Sequence, residues 1–177
     1  MTVLPIRVFG DPVLRERATE VRDFDRGLAR LVRNMRETML EAPGVGLAAP
    51  QVGVSRRVVV YDSGDGEEGV LINPVVVERE GSEIAEEGCL SLPGVYFEVE
   101  RAFRVKVLAM DLAGRPGEIE AEGLLARVFQ HEIDHLDGVL FIERLTPELR
   151  RQAMRELRQK ALGLPSVEPA EIHDAAL

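Results

Sequence analysis

His131-Glu132-Ile133-Asp134-His135 places two imidazoles four residues apart with a glutamate between them. On a helix, positions i and i+4 lie one turn apart on the same face. Both rings can then reach one metal ion, and Glu132 projects beside it. A divalent metal lowers the pKa of a bound water towards neutrality, and a nearby carboxylate can take the proton. Those are the parts of a metal-dependent hydrolase.

A catalytic site of this type needs a third protein ligand and an open position. Six residues after His135, where a metzincin-type peptidase carries its third histidine, this chain has Phe141. His173, the remaining histidine, falls near the C-terminus and is a poor candidate. Glu156 stands at about the distance used by thermolysin-like peptidases, so that route stays open. Cys89 is the stronger candidate. It sits in Glu87-Gly88-Cys89-Leu90-Ser91, where the preceding glycine lets a sulfur approach a metal without steric penalty. A Cys–His nucleophile pair is the other active reading of Cys89, but it leaves the second histidine and the glutamate without a role. A third stretch, GVGLAAPQ at 44–51, has small residues that allow a ligand or another backbone close in, and ends on Gln51, a possible oxyanion donor. It lacks the G-K-[ST] of a phosphate loop.

Helices and strands that would carry these groups follow from periodicity and turn residues. Leu28, Leu31, Val32, Met35 and Met39 recur at helical spacing behind Asp25, a suitable N-cap, and Pro43-Gly44 ends that helix. Residues 57–61, 70–72, 75–78, 95–99 and 105–110 read as short strands, with turns at Asp65-Gly66 and Ala113-Gly114. Leu124, Leu125, Val128, Phe129 and Leu136 build the amphipathic helix that carries His131 and His135. A last helix starts with Thr146 as N-cap and Pro147 as first residue, and stops near Gly163. The expected fold class is α+β: antiparallel β-sheets packed around a central HExxH-bearing helix, with an N-terminal and a C-terminal helix.

The chain's 177 residues predict one domain over 1–163, followed by an acidic, flexible tail over 164–177. The single cysteine excludes an internal disulfide framework and an all-thiolate zinc site. A net charge of −9 argues against nonspecific nucleic-acid binding by the whole molecule. No apolar run approaches the roughly 20 residues that span a bilayer, and residues 1–10 do not form a secretory signal. The expected location is the cytoplasm.

The three motifs taken together, in this order, resemble peptide deformylase, whose marks are GφGφAAxQ, EGCφS and QHExDH segments. This chain matches each at 44–51, 87–91 and 130–135. The resemblance implies that Cys89, His131 and His135 bind one divalent metal ion, ferrous iron in the cell, with zinc, nickel or cobalt as substitutes. It makes Glu132 the general acid/base and gives the developing oxyanion to Gln51 and the backbone N–H of Leu90. The implied substrate is the N-formylmethionine of new polypeptides, and the product formate. An extended peptide would lie between the Val45-Gly46 backbone and the segment after Gly88. Leu124 and Val128, on the metal helix, are candidates for the methionine pocket wall, a role that competes with plain core packing. Some family members have an arginine seven residues after the metal cysteine; here that position is Tyr96. The last helix carries Arg150, Arg151, Arg155, Arg158 and Lys160, and the corresponding region of some relatives docks on the ribosome near the exit tunnel.

Overall fold

The N-terminal helix, α1 (Arg26–Glu41), begins where expected because the Asp25 side chain accepts a hydrogen bond from Leu28 N at 2.8 Å. In the computed structural model, which describes residues 2–64 and 66–163, its apolar stripe of Leu28, Val32, Met35 and Met39 is buried against the alternate residues of a β-sheet, among them Val58, Val60 and Ile72. That sheet has five strands, β1 (Gly46–Ala48), β2 (Val58–Asp62), β3 (Glu68–Glu80), β6 (Arg104–Met110) and β7 (Pro116–Glu122), hydrogen-bonded in the order β1-β2-β3-β6-β7. A separate ribbon pairs β4 (Glu83–Cys89) with β5 (Leu92–Arg101). Every pairing is antiparallel, as the short runs and tight turns imply.

Several boundaries differ from the sequence reading, each for a physical reason. The runs at 70–72 and 75–78 are one strand, because Asn73, at φ 53°, and Pro74 form a bulge within β3 and not a connection. The Asn73 side chain exchanges two hydrogen bonds with the Val21 backbone, at 2.8 and 2.9 Å, and its own backbone N–H donates to Arg57 O at 2.9 Å, which together hold the bulge in place. β4 and β7 lack the expected alternation: in β4 the apolar Ile84 faces outward at 64% exposure while the charged Glu87 is buried, and in β7 Glu118, Glu120 and Glu122 leave only Ile119 and Ala121 facing inward. The GVGLAAPQ stretch forms β1 followed by a 3-10 turn, Ala49–Val52. Asp65, half of one expected turn, and the segment 164–177 with His173 lie outside the described residues.

The central helix, α2 (Gly123–Leu136), is buried at every position from Leu125 to Leu136. Its apolar side, including Leu125, Phe129, Ile133 and Leu136, packs on Val59, Leu71, Val105 and Val107 of the large sheet. Burial of each such side chain stabilises the fold by about 1.5–3 kcal/mol. Its other side is polar and equally buried, so it faces the protein and not water. Arg57 fixes the helix's C-terminal end, donating to Leu136 O at 3.2 Å and pairing with Asp137 at 2.7 Å. The C-terminal helix, α3 (Pro147–Ala161), starts at its Thr146 cap as expected and buries Ala153 and Leu157 against Val95 and Phe97 of β5.

Candidate metal centre

The buried polar side of α2 meets the end of β4. His131 and His135 point from successive turns of the helix, and Cys89 closes the group from the last residue of the strand. Cys89 Sγ lies 3.2 Å from His135 Nε2, and one ligand atom from each of the three residues falls within 4.8 Å of the others. Two imidazoles and a sulfur make a donor set suited to iron, zinc, nickel or cobalt. Phe141, which occupies the third-histidine position of the metzincin pattern, instead stacks on the His131 ring with centroids 6.0 Å apart. Glu156 is not in the group; it sits on α3 and accepts from Gln152 at 3.1 Å. The thermolysin-like alternative therefore has no support from the geometry.

Glu87, two residues before Cys89, orients the nearer histidine. Its Oε2 accepts from His131 Nδ1 at 2.9 Å, which leaves the Nε2 lone pair for the metal side. Glu87 is 4% exposed yet fully partnered: Arg101 grips it through Nε (2.8 Å) and Nη2 (3.0 Å), and Arg127 Nη1 adds a bond at 2.8 Å. Burial alone would raise its carboxyl pKa, but the hydrogen bonds from His131 and Arg101 and their charges outweigh it and hold the group down to about 2. Arg101 in turn donates to Asp134 at 2.6 Å, and Arg144 closes the far side of Asp134 at 2.5 and 3.1 Å. Burial also acts on the two histidines. It leaves His135 well below its usual range, whereas hydrogen bonds to Cys89 and Glu87 overcome it at His131 and move that ring up.

Glu132 is 5% exposed, and its Oε2 is buried with no hydrogen-bond partner. Burial pushes its carboxyl up to about 7. An unpartnered buried carboxylate oxygen beside three potential metal ligands is the mark of a group waiting for a proton on something that binds there. Gln51 faces the same space. Its Oε1 accepts from Ala48 N at 2.8 Å, which turns Nε2 towards Ser91 Oγ (3.3 Å) and Cys89 Sγ (3.7 Å). The amide is thus held with its donor end inward.

Comparison with known proteins bears on this arrangement. Residues 3–151 match the family model described as Polypeptide deformylase. The peptide deformylase of Acidothermus cellulolyticus is 54% identical over 159 residues, covering 90% of this chain and 88% of that protein. The crystal structure of peptide deformylase from Thermus thermophilus superposes with a TM-score of 0.87 at 51% identity, covering 91% of this chain and 96% of that one. A peptide deformylase from Legionella pneumophila gives 0.85 at 46% identity, with 92% and 98% covered. This chain belongs to the polypeptide deformylase family.

A deformylase needs a cleft beside its metal. A cavity of about 400 Å³ opens there, within the size range of small-ligand sites. Val45 and Gly46 line one side, and Gly88 and Leu90 the other. Gly46 is obligatory: a Cβ there would stand 2.7 Å from Glu132 Oε1 and 2.8 Å from Val128 Cγ1. Leu124 is 54% exposed and lines the cavity, so core packing does not explain it. Val128 does both jobs, being buried in the sheet-facing core and present in the cavity wall. Tyr96 lies over Gly88, filling the space where a Cβ would go, and closes the rim. Arg127 also borders the cavity, but its guanidinium is spent on Glu87, Val99 O and Glu83 O.

Sequence reasoning passed over Glu87, Arg101, Asp134, Arg144 and Ser91 as functional residues. Glu87, Ser91 and Asp134 lie inside the quoted motifs, and the usable signal was chemical: a metal-ligating imidazole needs an acceptor for its second nitrogen.

Proposed function

We propose that Cys89, His131 and His135 hold one divalent metal ion in a peptide deformylase, with Glu132 as general acid/base. The enzyme removes the N-formyl group from the N-terminal formylmethionine of newly synthesised polypeptides and releases formate. The observation that carries this reading is the convergence of Cys89, two histidines, a buried Glu132 carboxyl with Oε2 unpartnered and an inward Gln51 amide on one cleft.

The bound metal would supply a water acidic enough to lose a proton near neutral pH. Glu132 accepts that proton, for which a buried carboxyl raised to about 7 is well matched, and passes it to the leaving amine. Gln51 Nε2 and the backbone N–H of Leu90 donate to the carbonyl oxygen as it gains charge. The backbone at Val45-Gly46 and the segment following Gly88 hold the peptide in an extended form, which accepts many sequences. Leu124 and Val128 supply apolar surface for the methionine side chain.

Iron(II) is the metal we assign in the cell. With a cysteine sulfur beside it, the enzyme loses activity in air faster than a nickel- or cobalt-loaded sample. We assign the enzyme to the cytoplasm, where newly synthesised polypeptides are found. Ribosome docking through α3 is the reading that its basic face supports. Arg150 and Arg151 are paired with Glu143 and Glu148, whereas Arg155 and Arg158 are exposed and in no ion pair among the described residues. Charge reversal at Arg155 and Arg158 should then reduce co-sedimentation with ribosomes.

The direct test is formate release from formyl-Met-Ala-Ser by protein purified without oxygen, with Glu132→Gln alongside. Turnover that disappears in the variant, with its metal retained, supports both the reaction and the role of Glu132. A metal-loaded wild-type protein that releases no formate overturns the proposal.

A further inference from the structure

The rim of the cleft is held by a residue from the C-terminal helix. Pro93 and Gly94 line the cavity near the start of β5, in the irregular stretch between the pairs Cys89–Leu92 and Glu87–Phe97. Both of their carbonyls accept from Lys160 Nζ, Gly94 O at 2.5 Å and Pro93 O at 3.4 Å. Two neighbouring carbonyls at a rim would otherwise be solvated and free to turn. An ammonium gathered between them sets the direction of the peptide that joins them. Gly94 has φ +72°, and a Cβ there would collide with the Lys160 ammonium, so the backbone conformation and the lysine fit each other.

The anchor behind this contact is firm. Leu157, three residues before Lys160 and on the same face of α3, is buried with Val95 and Phe97 of the strand that carries Gly94. Lysine is also scarce here: Lys106 and Lys160 are the only two among 22 basic residues. A compact point charge reaches two converging carbonyls, and the broad planar fork of arginine suits that geometry less well.

We infer that Lys160 is a positioning residue for the substrate residues that follow the methionine. It holds the Pro93-Gly94 lip in place and takes no part at the reacting atoms. The inference rests on the deformylase reading and adds to it a role for α3 in peptide binding. A loosened lip costs most for a peptide long enough to lie against it, and little for the chemical step.

The test compares formyl-Met-Ala-Ser with formyl-Met-Ala for the wild type and for Lys160→Met, Lys160→Arg and Arg30→Met. Loss of a charged hydrogen bond at an exposed site predicts a KM for the longer peptide raised roughly threefold or more in Lys160→Met, with kcat changed less than KM. Lys160→Arg recovers part of the loss, and Arg30→Met, an exposed arginine on α1 that does not line the cavity, matches wild type. Amide hydrogen exchange at Leu90 and Gly94 is faster in Lys160→Met than in wild type. Equal losses for both peptides in kcat and KM, or no change with either, overturn the inference while leaving the deformylase reading intact. No formate release from the wild type overturns both.

Discussion

Replacing Glu87 by glutamine keeps the shape of the side chain and removes its charge. In the wild type its carboxylate neutralises two guanidinium groups whose side chains are only 5% and 7% exposed, those of Arg101 and Arg127, and also accepts from His131. A glutamine amide retains one acceptor oxygen and turns an N–H towards a cation. Breaking a buried ion pair by removing one partner costs about 3–5 kcal/mol. Arg101 keeps Asp134, and Arg127 keeps the carbonyls of Val99 and Glu83, so the lower end, about 3 kcal/mol, is expected here. The site suffers separately: His131 loses the anion that orients it, which costs roughly 10–100-fold in metal affinity. Urea denaturation of the metal-free proteins reads the first effect, and competition with a chromophoric chelator reads the second. Glu86→Gln, an exposed neighbour, is the control. The stability gap also has a sign in pH. Because Glu87 is held down to about 2 from 4.5, its contribution is complete above 4.5 and is lost as pH falls towards 2. A Glu87→Gln protein within about 0.5 kcal/mol of wild type at neutral pH, with unchanged metal affinity, would mean that the Glu87 charge neither stabilises the fold nor orients His131.

Other changes test separate parts of the site. Gly46→Ala forces a methyl group against Glu132 and Val128, so it should lower kcat and cost about 1–3 kcal/mol of stability in thermal unfolding. Gln51→Leu removes an inward donor whose only contact with a proposed ligand is the 3.7 Å one to Cys89 Sγ; kcat should fall roughly 100–1000-fold with metal content unchanged by elemental analysis. Leu157→Ala opens a hole between α3 and β5 and should destabilise the protein by about 2–5 kcal/mol in urea titration.

The parts of the site that could be read from sequence are those coded by short spacing. His131, Glu132 and His135 declare themselves through helical period, and Cys89 through its glycine and its rarity. Helices α1 and α3 were legible because their caps, Asp25 and Thr146 with Pro147, are local signals. The ion-pair chain Glu87–Arg101–Asp134–Arg144 was not, because its links join residues from β4, β5, α2 and the segment before α3. Only the antiparallel pairing of β4 with β5 brings Arg101 into the same layer as Glu87. The long β3 was hidden for a different reason: Asn73-Pro74 is a strand terminator by local rules, and it takes tertiary bonds to Val21 to make it a bulge. Conversely, the buried polar side of α2 looks, in sequence, like the wet side of an amphipathic helix. Its burial depends on the β4–β5 ribbon that covers it.

We assign one metal ion to Cys89, His131 and His135. X-ray absorption at the metal edge of zinc-loaded protein measures this directly. One sulfur at about 2.3 Å and two imidazole nitrogens at about 2.0–2.1 Å, with the sulfur contribution absent in Cys89→Ala, are the expected shells. A spectrum fitted by nitrogen and oxygen alone, unchanged by Cys89→Ala, would contradict it.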